Sequence, residues 1–319
     1  VVFCLCLSSF SVILLLGGGP SSTTLSVALY HALSVRLDFF EASFFLGLQL
    51  LLSLSFALFL HVGKNQKTEG AVTEKLTVSK KKWCAEIFLL GVLLFYTIPF
   101  LKFFQEALSA ISHIVIPFEA ILVTLFIGMM TALLTLFTTL FILMFYLKTG
   151  RVFKTSMSII GTLLLSLPKI AIVGSVFLLM HSYLDVEDAA YILIIMVGML
   201  CYIPFVLMSS LSDFKGLQNK YTSQIQLLSL SYKQISQLII WPHLSQSIRQ
   251  KTAMVSCFAM GNLSVPLLLG KMEIKTLPVL SYQALLCYDT EASSFYMLCL
   301  IALMGFVFFL CQGMKNAKN

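Results

Sequence analysis

Apolar runs of membrane-spanning length follow one another along the whole chain, separated by short polar connections. The runs cover approximately residues 1–17, 39–61, 84–104, 118–147, 156–181, 190–211, 251–270 and 292–313. A helix needs about 20 mostly apolar residues to cross the hydrocarbon core. Stretches such as "ILVTLFIGMMTALLTLFTTLFILMFYL" lack the alternation of apolar and polar positions that a barrel strand shows. A helix satisfies its own backbone in lipid, which favours helices over irregular structure. The pattern predicts an all-α polytopic membrane protein with about eight transmembrane helices.

One pattern occurs twice. "LLLGGGPSSTTLSVALYHAL" begins at Leu14, and "LLLGKMEIKTLPVLSYQAL" begins at Leu267. Both read L-L-L-G, a spacer, then T-L-x-V-x-x-Y-x-A-L. Thr24, Leu25, Val27, Tyr30, Ala32 and Leu33 stand 252 residues before Thr276, Leu277, Val279, Tyr282, Ala284 and Leu285. Each copy leads into an acidic segment before the next span, Asp38-Glu41-Ala42-Ser43 and Asp289-Glu291-Ala292-Ser293. "GKNQKTEGAVTEKLTVSKKK" is the one long polar stretch without an apolar face, and it reads as a linker. The expectation is of two homologous halves: the C-terminal part of a first half over 1–61, a basic cytoplasmic linker over 62–83, and a complete six-helix second half over 84–319. The chain opens "VVFCLCLSSF", inside an apolar run and without an initiator Met, so the first half is expected from its penultimate span only.

Composition agrees with the spans. Hydrophobic residues make up 59% of the 319 and charged residues 11%, against about 25% charged in soluble domains. The charge distribution sets an orientation. Sixteen of the 21 basic residues fall in alternate connections, at 62–83, 148–155, 212–251 and the C-terminal tail. Arg36, Lys102, Lys271 and Lys275 lie on the other side, and Lys169 lies within a span. Basic residues stay cytoplasmic. The C-terminus is therefore expected in the cytoplasm, with 18–38, 105–117, 182–189 and 271–291 facing outward. The net charge of +7 calls for anionic lipid headgroups rather than nucleic acid.

Chemistry is sparse. The eight cysteines lie mostly in apolar runs, without C-x-x-C or metal spacing, and read as small packing residues. His31, His61, His113, His181 and His243 are scattered. No Walker-type phosphate loop is present, so ATP hydrolysis by that route would need a partner. No catalytic residue, cofactor or metal is expected. A membrane-embedded enzyme would need a convergent His, Asp, Glu or Cys cluster, and none is visible.

The connection at 213–249 is not a plain solvated loop. Tyr221, Ile225 and Leu228 share one helical face, and Tyr232, Ile235, Leu238 and Ile239 another, with "SLS" between them and Pro242 after them. Such a pair fits either a partner-docking element or a hairpin lying on the bilayer. Here the chain resembles the permease subunits of binding-protein-dependent ABC importers, whose docking loop carries E-A-A-x-x-x-G-x(9)-I-x-L-P. Aligning Pro242 with the final proline sets Trp241 at Leu, Ile239 at Ile, Ser229 at Gly, and Ser223-Gln224-Ile225 at E-A-A. Spacing, Ile and Pro are kept; Glu, both Ala, Gly and Leu are not.

Further segments carry the resemblance. "FAMGNLSVPLLLG" with "KTLPVLSYQAL" is similar to a segment of the two-half permeases for thiamine and for ferric iron. "GGGPSSTTLSVALYHALSVRLDFFEAS" and "GTLLLSLPKIAIVGSVFLLM" are similar to thiamine permeases, with Lys169 where a glycine is usual. The resemblance covers nearly the whole chain outside 62–115 and matches the C-terminal three-fifths of a two-half permease. It implies a type I ABC importer fold in the bacterial inner membrane, an ATPase dimer docking at 213–249, a periplasmic binding protein, and alternating access. The implied substrate is thiamine, with ferric iron or a truncated, non-functional remnant as alternatives. Asn262 replaces an acidic residue of the family motif, and Ser9 is its first-half counterpart. Asn262, Lys169 and Ser9 are candidate pathway residues, or structural ones.

Overall fold

A computed structural model describes residues 10–17, 23–64, 82–111, 113–148, 157, 160–161, 164, 167–180, 186–228, 241–270 and 274–313. Their regular structure is helical: α1 (Phe10–Gly17), α2 (Leu25–His31), α3 (Phe39–Lys64), α4 (Lys82–Ala110), α5 (Phe118–Lys148), α6 (Lys169–Met180), α7 (Val186–Leu228), α8 (Trp241–Met260), α9 (Ser264–Leu269), α10 (Leu277–Leu286) and α11 (Thr290–Gly313). Among the described residues, four stretches are long and apolar enough to cross a membrane: Glu86–Ala110, Phe118–Tyr146, Ala190–Asp213 and Thr290–Cys311. The chain is an all-α polytopic membrane protein, as its pattern predicts.

The helices α5, α7 and α8 pack on one another, and α11 packs against both α8 and α4. The described N-terminal half of α4, from Glu86 to Leu101, is exposed throughout. Lipid tails are as apolar as these side chains, so burial supplies no drive to cover them. Helix association in that solvent depends on close approach and interhelical hydrogen bonds. Close approach is visible at Gly128 of α5, where an added Cβ would stand 2.4 Å from Met260 Cγ and 3.3 Å from the Ser256 carbonyl oxygen, both on α8.

Two expectations are revised. The run at 251–270 is not one span: α8 starts at Trp241 and stops at Met260, and α9 follows after Gly261, Asn262 and Leu263. Asn262 ends the run locally, its carboxamide oxygen accepting the Ser264 amide at 3.1 Å. The segments 18–38 and 271–291, expected as loops, are not open ones either, because they contain α2 and α10.

The two copies of the repeated pattern adopt the same local structure. Thr24 (φ −90°, ψ 164°) and Thr276 (φ −88°, ψ 157°) are extended, and each precedes its short helix. Val27 and Val279 are fully buried, and all four of Val27, Tyr30, Val279 and Tyr282 belong to one buried cluster. Among the described residues, the only non-glycine positions with positive φ are Leu37 (56°) and Tyr288 (59°). Each immediately precedes the aspartate that caps the next helix. Asp38 Oδ1 accepts the Phe40 and Glu41 amides at 3.1 Å, and Asp289 Oδ1 accepts the Ala292 amide at 2.9 Å. The first copy holds one more residue between threonine and aspartate. It is absorbed in the π-helical turn Ala32–Arg36, the way a helix accommodates a single insertion.

The glycine that closes L-L-L-G in the second copy has a steric reason. Gly270 donates its amide to the Pro266 carbonyl at 2.8 Å, turning the chain out of α9. An added Cβ would lie 2.6 Å from that same oxygen and 3.2 Å from Ile274 Cβ, so a larger residue displaces the turn.

Candidate functional site

Two of the three candidate pathway residues meet at a third side chain. Lys169 opens α6 directly after Pro168, whose carbonyl accepts the Ala171 amide at 3.0 Å. It stands at a break rather than within a continuous helix. A cation at a helix N-terminus opposes the helix dipole. Its compensation is the face of Tyr202 on α7, with Lys169 Nζ 4.8 Å from the ring centroid. A cation–π contact contributes about 0.5–2 kcal/mol, more as water is excluded. Among the described residues no carboxylate forms an ion pair with Lys169.

Tyr202 is buried and joins three elements. Its hydroxyl donates to the Phe258 carbonyl of α8 at 2.7 Å and accepts from Asn262 Nδ2 at 3.3 Å. Asn262 Oδ1 also accepts the Ser264 hydroxyl at 2.9 Å. The cluster therefore ties α6, α7, α8 and the start of α9 around one ring. Asn262 spends its hydrogen-bonding capacity inside the protein, on the interhelical bond and on the turn into α9. Ser9 lies outside the described residues.

Sequence reasoning passed over Tyr202. Its one signal was position, a tyrosine mid-way along a span and two residues before Pro204, whereas tyrosine in membrane helices favours the interfaces.

In the connection at 213–249, the first amphipathic stretch is not a separate short helix but the end of α7. Ser223, Gln224 and Ile225 lie in the last turns of α7, which runs unbroken for 43 residues and contains the span Ala190–Asp213. Trp241 and Pro242 open α8 rather than closing a helix, and proline fits a first turn because its missing N–H has no intrahelical acceptor there. Ser229 and Ile239 lie outside the described residues. So α7 and α8 are the two stalks between which the segment 229–240 is carried.

At the base of the stalks is a polar cluster that sequence reasoning left among the loop charges. Lys251 of α8 is only 5% exposed. Its Nζ donates to Asp213 Oδ2 at 2.8 Å and to Ser210 Oγ at 3.0 Å, both on α7. The Ser247 hydroxyl donates to the same Asp213 oxygen. Beneath them lies a buried apolar cluster of Leu143, Tyr146, Leu207 and Leu211, with Ile248 against it. Among the described residues no group of three His, Cys, Asp or Glu side chains is placed to hold a metal ion.

Comparison with known proteins bears on the whole chain. It is 27% identical over 332 residues to the thiamine transport system permease protein ThiP of Haemophilus influenzae, an alignment covering 100% of this chain and 62% of the relative. The ThiP protein of Escherichia coli K12 is 22% identical over 339 residues, again with 100% and 62% covered. That of Brucella abortus is 29% identical over 314 residues, covering 91% of this chain and 55% of the relative. The chain spans about three-fifths of the length of these relatives. No protein-family model matches it, and no solved structure does. The chain is a helical membrane protein that resembles, from end to end, the permease subunits of thiamine transport systems.

Proposed function

We propose that this chain acts as permease in an ATP-driven importer of the bacterial inner membrane, passing thiamine handed over by a periplasmic binding protein. The observation that carries the reading is the full-chain similarity to thiamine transport permeases from several bacteria. The duplicated turn–helix–cap unit, whose two copies share one buried cluster, supports an arrangement of two halves, 1–61 and 84–319, joined by the linker 62–83. The pathway then runs between the halves, as in transporters built from repeats. The chain supplies no ATPase site of its own in this reading. A separate ATPase dimer docks on 213–249, through Ser223, Gln224, Ile225, Ser229, Ile239, Trp241 and Pro242, and its closure rocks the halves between outward and inward states.

The test is uptake of radiolabelled thiamine by proteoliposomes holding the permease and its ATPase, with binding protein outside. ATP-dependent accumulation is expected, and labelled ferric iron should not accumulate. Iron accumulation without thiamine uptake transfers the reading to the ferric permeases, the alternative that the sequence segments also resemble.

Orientation is tested separately. With the C-terminus in the cytoplasm, a single cysteine reporter at Asp185 or Glu273 should react with an impermeant maleimide from outside, in a background cleared of native cysteines. One at Lys81 or Lys220 should not. External labelling at Lys81 overturns both the orientation and the docking role of 213–249.

A further inference from the structure

We propose that Lys251 and Asp213 form a clasp that makes the docking segment and the membrane helices move as one body, so that the pair couples ATP hydrolysis to transport. This rests on the permease reading. The helix α7 leaves the span at Asp213, and α8 returns through Ser247 and Lys251. Where α7 leaves the span and α8 returns to it, three polar contacts join the two helices. Lys251 Nζ reaches Asp213 and Ser210, and the Ser247 hydroxyl reaches Asp213.

The choice of charges is informative. Lys251 is buried while the Asp213 side chain is 41% exposed, so desolvating the lysine offsets much of what the pair gains, and apolar packing is already present at Leu207, Leu211 and Ile248. What an ion pair adds is register: one rotation of α7 against α8 satisfies Lys251, and the others leave a buried charge unpaired. A push on the docking segment therefore cannot roll or splay the two stalks at the neck. It passes to α7 and α8 together, and through both to α5, which packs against each. Lys251 and Asp213 are positioning residues, remote from any solute and outside the segment aligned with the ATPase motif.

The discriminating variant is Lys251→Met, which keeps the length of the side chain and removes its charge. In the proteoliposomes described above, thiamine uptake and ATP hydrolysis are measured on the same preparation. The ATPase is expected to remain bound and to hydrolyse at no less than the wild-type rate, while thiamine carried per ATP falls about ten-fold. Lys251→Arg should restore the ratio, and so should the exchanged pair Asp213→Lys with Lys251→Asp. A purely structural role predicts something else: uptake and hydrolysis falling in proportion to the amount of folded protein, with the ratio unchanged. An unchanged ratio overturns the clasp, whatever the yield. Absence of thiamine uptake by the unsubstituted protein overturns the permease reading instead, and the clasp with it.

Discussion

Replacing Gly128 with leucine should lower the melting temperature of the detergent-purified protein by roughly 2–5 °C and reduce its amount in the membrane. The reason is the absence of room between α5 and α8. A Cβ at Gly128 would already stand 2.4 Å from Met260 Cγ and 3.3 Å from a backbone oxygen of α8. Met260 is itself only 2% exposed, so its flexible side chain has nowhere to withdraw. Overpacking of this kind costs about 1–3 kcal/mol, and leucine adds three further carbons beyond the Cβ. The cost falls on the seam that holds α5, α7 and α8 together. Alanine at the same position should cost less, because Met260 need shift only part of the way. A Gly128→Leu protein that melts with the unsubstituted one means that α5 and α8 do not approach as described.

Replacing Lys169 with glycine should speed thiamine uptake. Thiamine carries a fixed positive charge on its thiazolium ring, and Lys169 has the Tyr202 face but, among the described residues, no carboxylate partner. At about 8 Å and an effective dielectric of about 20, two unit charges repel by about 2 kcal/mol. Removing that barrier corresponds to a rate gain of about 30-fold if passage by the cluster limits transport. The measurement is the initial rate of radiolabelled thiamine uptake in proteoliposomes, normalised to ATP hydrolysis. An unchanged rate places Lys169 away from the solute, as a partner of Tyr202 and nothing more.

Both variants touch features with different legibility. The spans could be read because hydropathy is a sum along the chain, and a helix crossing lipid must be apolar on every side. That property also hid the rest. When lipid-facing and buried faces are equally apolar, periodicity no longer says which side of a helix meets its neighbours. Nothing in the run around Gly128 distinguishes it from Gly91, which has open space around it. The repeat was legible through identities at fixed spacing, and its π turn only through the one-residue difference between the copies. Lys169 and Asn262 stood out as polar residues in apolar runs. Their meeting at Tyr202 did not, since the partners lie 60 residues apart in one case. The break at Gly261–Leu263 was missed because the residues on both sides are as apolar as a continuous span. Lys251 and Asp213 were read as loop charges, since a charge at the end of an apolar run looks the same whether it faces water or another helix.

The length of α7 has a mechanical consequence. Its 43 residues extend about 64 Å, and the helix holds one residue that cannot donate to its ladder, Pro204. Helices bend at such points, which makes Pro204 a pivot. From that pivot to Leu228 is about 36 Å, to Asp213 about 14 Å, and to Tyr202 about 3 Å. A flexure of about 5° then sweeps the Leu228 tip through about 3 Å and the neck through about 1 Å, while Tyr202 moves by about a quarter of an ångström. The rod works as a reducing lever. A long stroke at the Leu228 end arrives at Tyr202 as a fine adjustment, small enough to leave the ring under Lys169 in place and to be felt instead by whatever α7 packs against beyond it.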